Sequence, residues 1–143
     1  TFYYNPAPVD QTAKLLAKQH DVIKELSKDG DCVIVGRGAD TLLEEEHPLR
    51  IFVYASMESK INRCIERAPK DEDLSRKDYE KKIKQVDKAR GHNYLLYSDK
   101  EWGDRENYDL LVNTTEVEVE DLIPSLKVFA LNWFKGKNDH KTF

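Results

Sequence analysis

Cysteine, methionine and long hydrophobic runs are all scarce in this chain of 143 residues. Its two cysteines, Cys32 and Cys64, cannot form a disulfide framework, and each lies in an apolar pattern that predicts a buried, reduced thiol. Apolar stretches are a handful of residues long, far short of the roughly 20 that a membrane-spanning helix needs. The N-terminus also lacks the charged-then-apolar pattern of a signal peptide, so we expect a cytoplasmic protein with no membrane partner.

Several catalytic and metal-binding patterns are missing as well. The four histidines show no ligand spacing with each other or with the cysteines, so no metal site is predicted. The chain contains no G-x-S-x-G motif. It also contains no G-x-x-x-x-G-K-[ST] loop, the element that wraps the donor phosphates in P-loop enzymes.

Charge is abundant but unevenly distributed. The chain has 23 Lys and Arg against 27 Asp and Glu, a net charge of −4. Residues 57–100 hold 12 basic and 9 acidic side chains, a balance of +3, whereas the other residues hold 11 and 18, a balance of −7. The overall acidity argues against nucleic acid as a partner. The basic segment is suited to anions, although several of its lysines are equally consistent with solvating charge: Lys81, Lys82, Lys84 and Lys88.

Hydrophobic periodicity predicts short buried strands that alternate with helices. A helix is expected from Asp10 to Gly30, another after the N-cap Ser56, a long one after the N-cap Ser75, and a last one with Pro124 near its start. Short apolar runs rich in β-branched residues predict strands at 32–35, 50–55 and 109–113. This alternation is typical of an α/β fold with parallel strands.

The predicted elements form one domain. We expect it to cover residues 1–135, with a long helical segment at about 69–100 and a flexible tail at 136–143. Ligands of open α/β sheets bind beyond the carboxyl ends of the strands. The residues that follow the predicted strands are therefore the candidates for a site.

Arg37 follows the first predicted strand between two glycines, which leave its guanidinium unobstructed at the sheet edge. Such a group suits a phosphate, and the alternative is an ion pair with a nearby carboxylate such as Asp40. Three tyrosines later in the chain are either core aromatics or stacking platforms for a base: Tyr94, Tyr97 and Tyr108.

Two further basic groups stand on the predicted helices. Arg63 and Arg67 lie one turn apart, and they either grip a polyanion together or form a solvated face beside Glu66. Asp87 and Arg90 are three residues apart on the long helix, so they either brace each other or share a ligand.

Four segments together resemble the cytidylate-kinase-like family of nucleoside monophosphate kinases: CVIVGRGAD at 32–40, RIFVYAS at 50–56, VDKARGHNY at 86–94 and WGDRENYDLLVNTT at 102–115. The resemblance implies a three-layer parallel sheet of the P-loop kinase type, with the P-loop strand absent from these 143 residues. It also implies ATP and Mg²⁺ as cofactors and CMP, dCMP or a similar monophosphate as the acceptor.

The same resemblance implies a role for each candidate residue. Arg37 looks like the arginine that binds the acceptor phosphate, and Asp87 and Arg90 look like the pair that recognises the nucleoside and its phosphate. Arg63 and Arg67 look like lid arginines that close on ATP. The alternative is a regulatory module that binds nucleotides without transferring a phosphoryl group. Because the absent P-loop strand would leave a gap in the expected sheet, with unpaired backbone groups, we expect about 40–80 further N-terminal residues that carry the P-loop. Such a segment would also explain why the chain starts at Thr1 rather than Met.

Overall fold

The computed structural model describes residues 9–140, with side chains described for 14–136. The chain divides after Pro48 into two compact units. The first unit holds α1 (Val9–Leu26), α2 (Ala39–Leu42) and a 3-10 helix (Glu44–Glu46). Its core is small.

That core joins the end of α1 to the start of α2. Ile23 from α1 is buried with Ala39 and Leu43, and the half-buried side chains of Ile34 and Leu42 pack against them. The predicted amphipathic α1 is therefore confirmed, and its apolar stripe holds the short α2 in place by hydrophobic burial.

The strand predicted at 32–35 was wrong. These residues form no regular element, and Val33 and Val35 are 93% and 88% exposed. Cys32 is exposed too, which corrects the prediction of a buried thiol, while Cys64 is half-buried. A strand exists only where a neighbouring strand pairs with its backbone donors and acceptors. Within residues 9–140 no strand pairs with this segment, so its hydrophobicity alone does not make it one.

The second unit is a mixed α/β structure built on two parallel strands, β1 (Ile51–Tyr54) and β2 (Leu110–Asn113). Both were predicted, and they pair in register with Ile51 opposite Leu110. Just before them the Arg50 backbone N–H donates to Asp109 Oδ2 over 2.8 Å. The Arg50 guanidinium reaches the same carboxylate with Nε at 3.2 Å from Oδ2 and Nη2 at 3.1 Å from Oδ1. This clamp fixes the start of both strands, and hence their register.

An aromatic cluster covers one face of β1. The Phe52 ring lies 5.3 Å from the Trp102 ring, edge to face, and 4.8 Å from the Tyr108 ring. Tyr108 is thus a packing aromatic. The chain turns at Trp102 and Gly103: Gly103 has φ +85°, and a Cβ at that position would lie 3.1 Å from Phe52 Cζ. Only glycine fits there without strain.

The described part of this unit also holds three α-helices, α3 (Met57–Glu66), α4 (Arg76–Leu95) and α5 (Val119–His140), and a 3-10 helix (Arg105–Asn107). Ser56 caps α3 as predicted, accepting from the Ser59 backbone N–H at 3.2 Å. Ser75 caps α4 in a capping box with Asp78, and hydrogen bonds from the Ser75 side chain and backbone hold the pKa of Asp78 below its ordinary value of 3.8. These caps explain why each helix begins where it does.

The last helix continues beyond the length expected from the sequence. Pro124 lies in the early turns of α5, where proline is tolerated, and the helix includes Gly136, at which a flexible tail was predicted to begin. Across residues 9–140 no helix is both long and apolar enough to cross a lipid bilayer.

Candidate functional site

The carboxyl ends of β1 and β2 meet at one edge of the sheet. The loop after β1 leads directly into α3, and the loop after β2 contains two threonines, Thr114 and Thr115. The backbone N–H of Ser56 donates to Thr115 Oγ1 at 2.9 Å, which ties the two loops together. This is the edge at which open α/β sheets bind their ligands.

Arg63 is held in this edge by the loop after β2. Its Nη1 donates to Thr114 Oγ1 at 3.0 Å, and its Nη2 donates to the carbonyls of Thr114 and, at 3.3 Å, Val117. Thr114 is only 2% exposed, and its N–H and hydroxyl both donate to the Tyr54 carbonyl. We call Arg63, Thr114 and Val117 the loop anchor, because they fix the β2–α5 loop to α3.

A second polar group joins α3 to α4. The Lys60 ammonium lies 2.6 Å from Asp87 Oδ2, and the Arg90 guanidinium lies 3.1 Å from Asp87 Oδ1. We call Lys60, Asp87 and Arg90 the α3–α4 cluster. Lys60 precedes Arg63 by three residues, so the cluster and the loop anchor lie one helical turn apart along α3.

The α3–α4 cluster carries one net positive charge, because two cations share one carboxylate. Asp87 and Lys60 have side chains that are 24% and 32% exposed, whereas the Arg90 side chain is 61% exposed. Asp87 and Arg90 do brace each other, which was one of the two interpretations of their spacing. A carboxylate can accept about four hydrogen bonds, so two from its neighbours leave Asp87 able to accept more from a ligand.

Arg67 differs from Arg63 although the sequence pairs them. It terminates α3 through its backbone N–H, which donates to the Arg63 carbonyl at 3.2 Å. Its side chain is exposed and makes no hydrogen bond or ion pair within the part of the chain that the structure describes. The two arginines therefore do not act as one group in this structure.

Arg37 belongs to the first unit. It has φ +61° between Gly36 at φ +70° and Gly38 at φ +64°, a run of left-handed backbone that lifts it into solvent. No ion pair joins it to Asp40 or to any other residue in 14–136. The structure thus leaves its guanidinium accessible. The segment before Arg37 is not a strand, however, so the expected position at a sheet edge is not found among the described residues.

Sequence reasoning missed Lys60, whereas Thr114 is among the residues that follow the predicted strands, where a site was expected. Lys60 lies between Met57 and Cys64 at helical spacing, so it borders the apolar stripe by which α3 packs. A cation at such a border position can be predicted from the sequence to form an ion pair, since its charged head group needs a partner on the neighbouring helix. Thr114 stands at the end of a strand, where its hydroxyl can bond back to the backbone.

No group of three or more His, Cys, Asp or Glu side chains that could hold a metal ion occurs in the described part of the chain. No metal ligand is therefore assigned here.

Arg63 at the carboxyl edge of the parallel strands and the positively charged α3–α4 cluster one helical turn away are typical of anion-binding α/β proteins, many of which bind phosphorylated ligands. The model of the cytidylate kinase-like family matches residues 8–116, which is more than half of the chain. This protein belongs to that family.

A search of the curated proteins found no match. Among solved structures, the crystal structure of an uncharacterized protein from Eubacterium ventriosum is similar, with a TM-score of 0.70 and 25% sequence identity. The similarity covers 80% of this chain and 63% of the other. This chain therefore spans less than two thirds of that protein.

Proposed function

We propose that this protein is an ATP-dependent nucleoside monophosphate kinase that phosphorylates CMP, dCMP or a similar acceptor, with a three-layer sheet of the P-loop kinase type in the complete fold. The observation that carries the proposal is the α3–α4 cluster in a chain of the cytidylate kinase-like family. Arg90, the excess cation of this cluster, is exposed and can bind a phosphate. The Asp87 carboxylate can still accept a hydrogen bond from a donor group of the nucleoside.

Each predicted site residue has a place in this proposal. Arg90 binds the acceptor phosphate, and Asp87 accepts a hydrogen bond from the nucleoside. The role of Arg37 as a phosphate ligand rests on the family resemblance. Arg67, with its unpaired guanidinium in the described structure, contacts the phosphates of ATP. Arg63 reaches them only if it leaves Thr114, so in the observed state it acts by holding the loop.

The reaction is a phosphoryl transfer in which an oxygen of the acceptor phosphate attacks the γ-phosphorus of ATP and ADP leaves. Such a reaction depends on alignment of the two nucleotides and on neutralisation of charge spread over the transferred group. Arginines serve this purpose because they stay charged and bind phosphate oxygens through two donors. Mg²⁺, the metal that the family resemblance implies, would neutralise part of the negative charge on the ATP phosphates.

One observation favours a second candidate function, a regulatory module that binds nucleotide without transfer. In a kinase the Arg63 guanidinium would contact ATP, but in the structure it donates hydrogen bonds to Thr114 and Val117. A module of this kind would keep the acceptor-binding residues and lack turnover.

The test is ADP release by the intact protein with CMP, dCMP, UMP and AMP as acceptors. We expect turnover with a cytidine monophosphate, and a loss of about tenfold or more in kcat/KM in Arg90→Met, since a charge-assisted contact to phosphate is removed. The matched control is Arg76→Met, which removes an exposed arginine of α4 that pairs with Asn62 at 2.9 Å and stays within about twofold of wild type.

Three outcomes would contradict parts of this proposal. Wild-type protein that binds CMP by calorimetry without ADP release supports the regulatory module instead. Protein that neither binds nor phosphorylates any monophosphate refutes both functions. Arg37→Ala with wild-type kcat/KM for every monophosphate removes Arg37 from the site.

A further inference from the structure

The α3–α4 cluster contains one residue to which the proposed function assigns no role. Lys60 contributes the shortest contact in the cluster, 2.6 Å to Asp87, and it comes from a different helix than Asp87 and Arg90. We propose that Lys60 is a positioning residue that keeps Asp87 neutralised, so that Arg90 can leave Asp87 and bind the ligand phosphate. This inference rests on the proposed function and deepens it.

Lys60 and Arg90 bind different oxygens of Asp87 and differ in exposure. Lys60 holds Oδ2 of Asp87, and its side chain is 32% exposed, whereas Arg90 holds Oδ1, and its side chain is 61% exposed. The more exposed partner has less to lose on moving, because water already screens its attraction to the carboxylate. Lys60 is the inner, fixed cation and Arg90 is the outer, movable one.

The charges show why the fixed cation matters. If Asp87 had Arg90 as its sole partner, binding of a phosphate would have to pull Arg90 from a half-buried carboxylate and leave that carboxylate unneutralised. With Lys60 in place, Asp87 keeps one cation when Arg90 moves. Lys60 therefore lowers the free-energy cost of recruiting Arg90 without itself touching the ligand.

The experiment compares CMP with cytidine by titration calorimetry of the intact protein. For Lys60→Met, the Kd of CMP rises by about three- to tenfold, while the Kd of cytidine changes by less than about twofold. The difference arises because only CMP carries the phosphate that draws Arg90 away from Asp87. Lys60→Arg restores CMP binding, since it keeps a cation on Asp87. Circular dichroism verifies that each variant folds.

A double-mutant cycle distinguishes positioning from direct attraction. In an Arg90→Met background Lys60 has no arginine to release, so adding Lys60→Met changes the Kd of CMP by less than about twofold. If Lys60 acted on the phosphate through its own charge, the loss would persist in that background, and the inference would be refuted. Lys82→Met, which removes an exposed lysine paired with Glu72, is the charge-matched control and leaves both affinities unchanged.

Three further outcomes would overturn the inference about Lys60. Equal losses for cytidine and CMP in Lys60→Met would overturn the inference, because they indicate a general structural role. Wild-type affinity in Lys60→Met overturns it while the proposed function stands. Failure of the wild-type protein to bind any monophosphate overturns the proposed function and this inference together.

Discussion

The loop anchor gives the sharpest quantitative prediction about this protein. Replacing Arg63 by Met removes three hydrogen bonds and leaves the carbonyl of Thr114, a residue that is 2% exposed, without its Arg63 donor. A buried polar group that loses its partner costs about 1–3 kcal/mol. Since Arg63 is itself half-buried and its contact with Val117 is exposed, we expect a loss of about 1–2 kcal/mol in the free energy of unfolding.

Urea unfolding followed by tryptophan fluorescence measures this loss, because both tryptophans, Trp102 and Trp133, belong to the second unit. With an m-value of about 2 kcal/mol/M, the midpoint moves down by roughly 0.5–1 M. The matched control is Arg67→Met, which removes an exposed arginine one turn further along α3 and shifts the free energy by less than about 0.5 kcal/mol. If the two variants unfold at the same midpoint, Arg63 does not anchor the loop and the reasoning from burial is refuted.

Two other predictions concern stability. Gly103→Ala lowers the free energy of unfolding by about 1–2 kcal/mol, because alanine is strained at φ +85° and its Cβ would crowd the Phe52 ring. Gly136→Ala in α5, where nothing lies within 4 Å of the added Cβ, raises it by up to about 1 kcal/mol. Both shifts are read from urea midpoints, and a shared sign would contradict the argument. Because its folded pKa lies below 3.8, Asp78 contributes stability that is present above 3.8 and lost as pH falls through the depressed value. Asp78→Asn should therefore flatten the acid limb of a stability-against-pH curve, and an unchanged limb would show that the bonds from Ser75 do not matter for folding.

The helix starts and two of the strands could be predicted because their signals are local. Ser56 and Ser75 cap their helices with their own side chains, and the runs that became β1 and β2 alternate with helices at the spacing of parallel units. The site could be predicted only in outline. The spacing of Asp87 and Arg90 puts them on one helix face, but nothing in that spacing shows that Lys60 would complete the cluster.

Local sequence signals are enough to place the starts of the helices, the runs that are apolar enough for strands, and the enrichment of cations on α3 and α4. Which of those strands form depends on tertiary contacts, because pairing is a property of two segments that are distant in the chain. The apolar run at 32–35 has no pairing strand among the described residues and stays exposed, whereas 51–54 pairs with 110–113 and becomes β1. In the same way, tertiary contacts gave two arginines one turn apart different surroundings: Arg63 meets the buried Thr114, and Arg67 meets solvent.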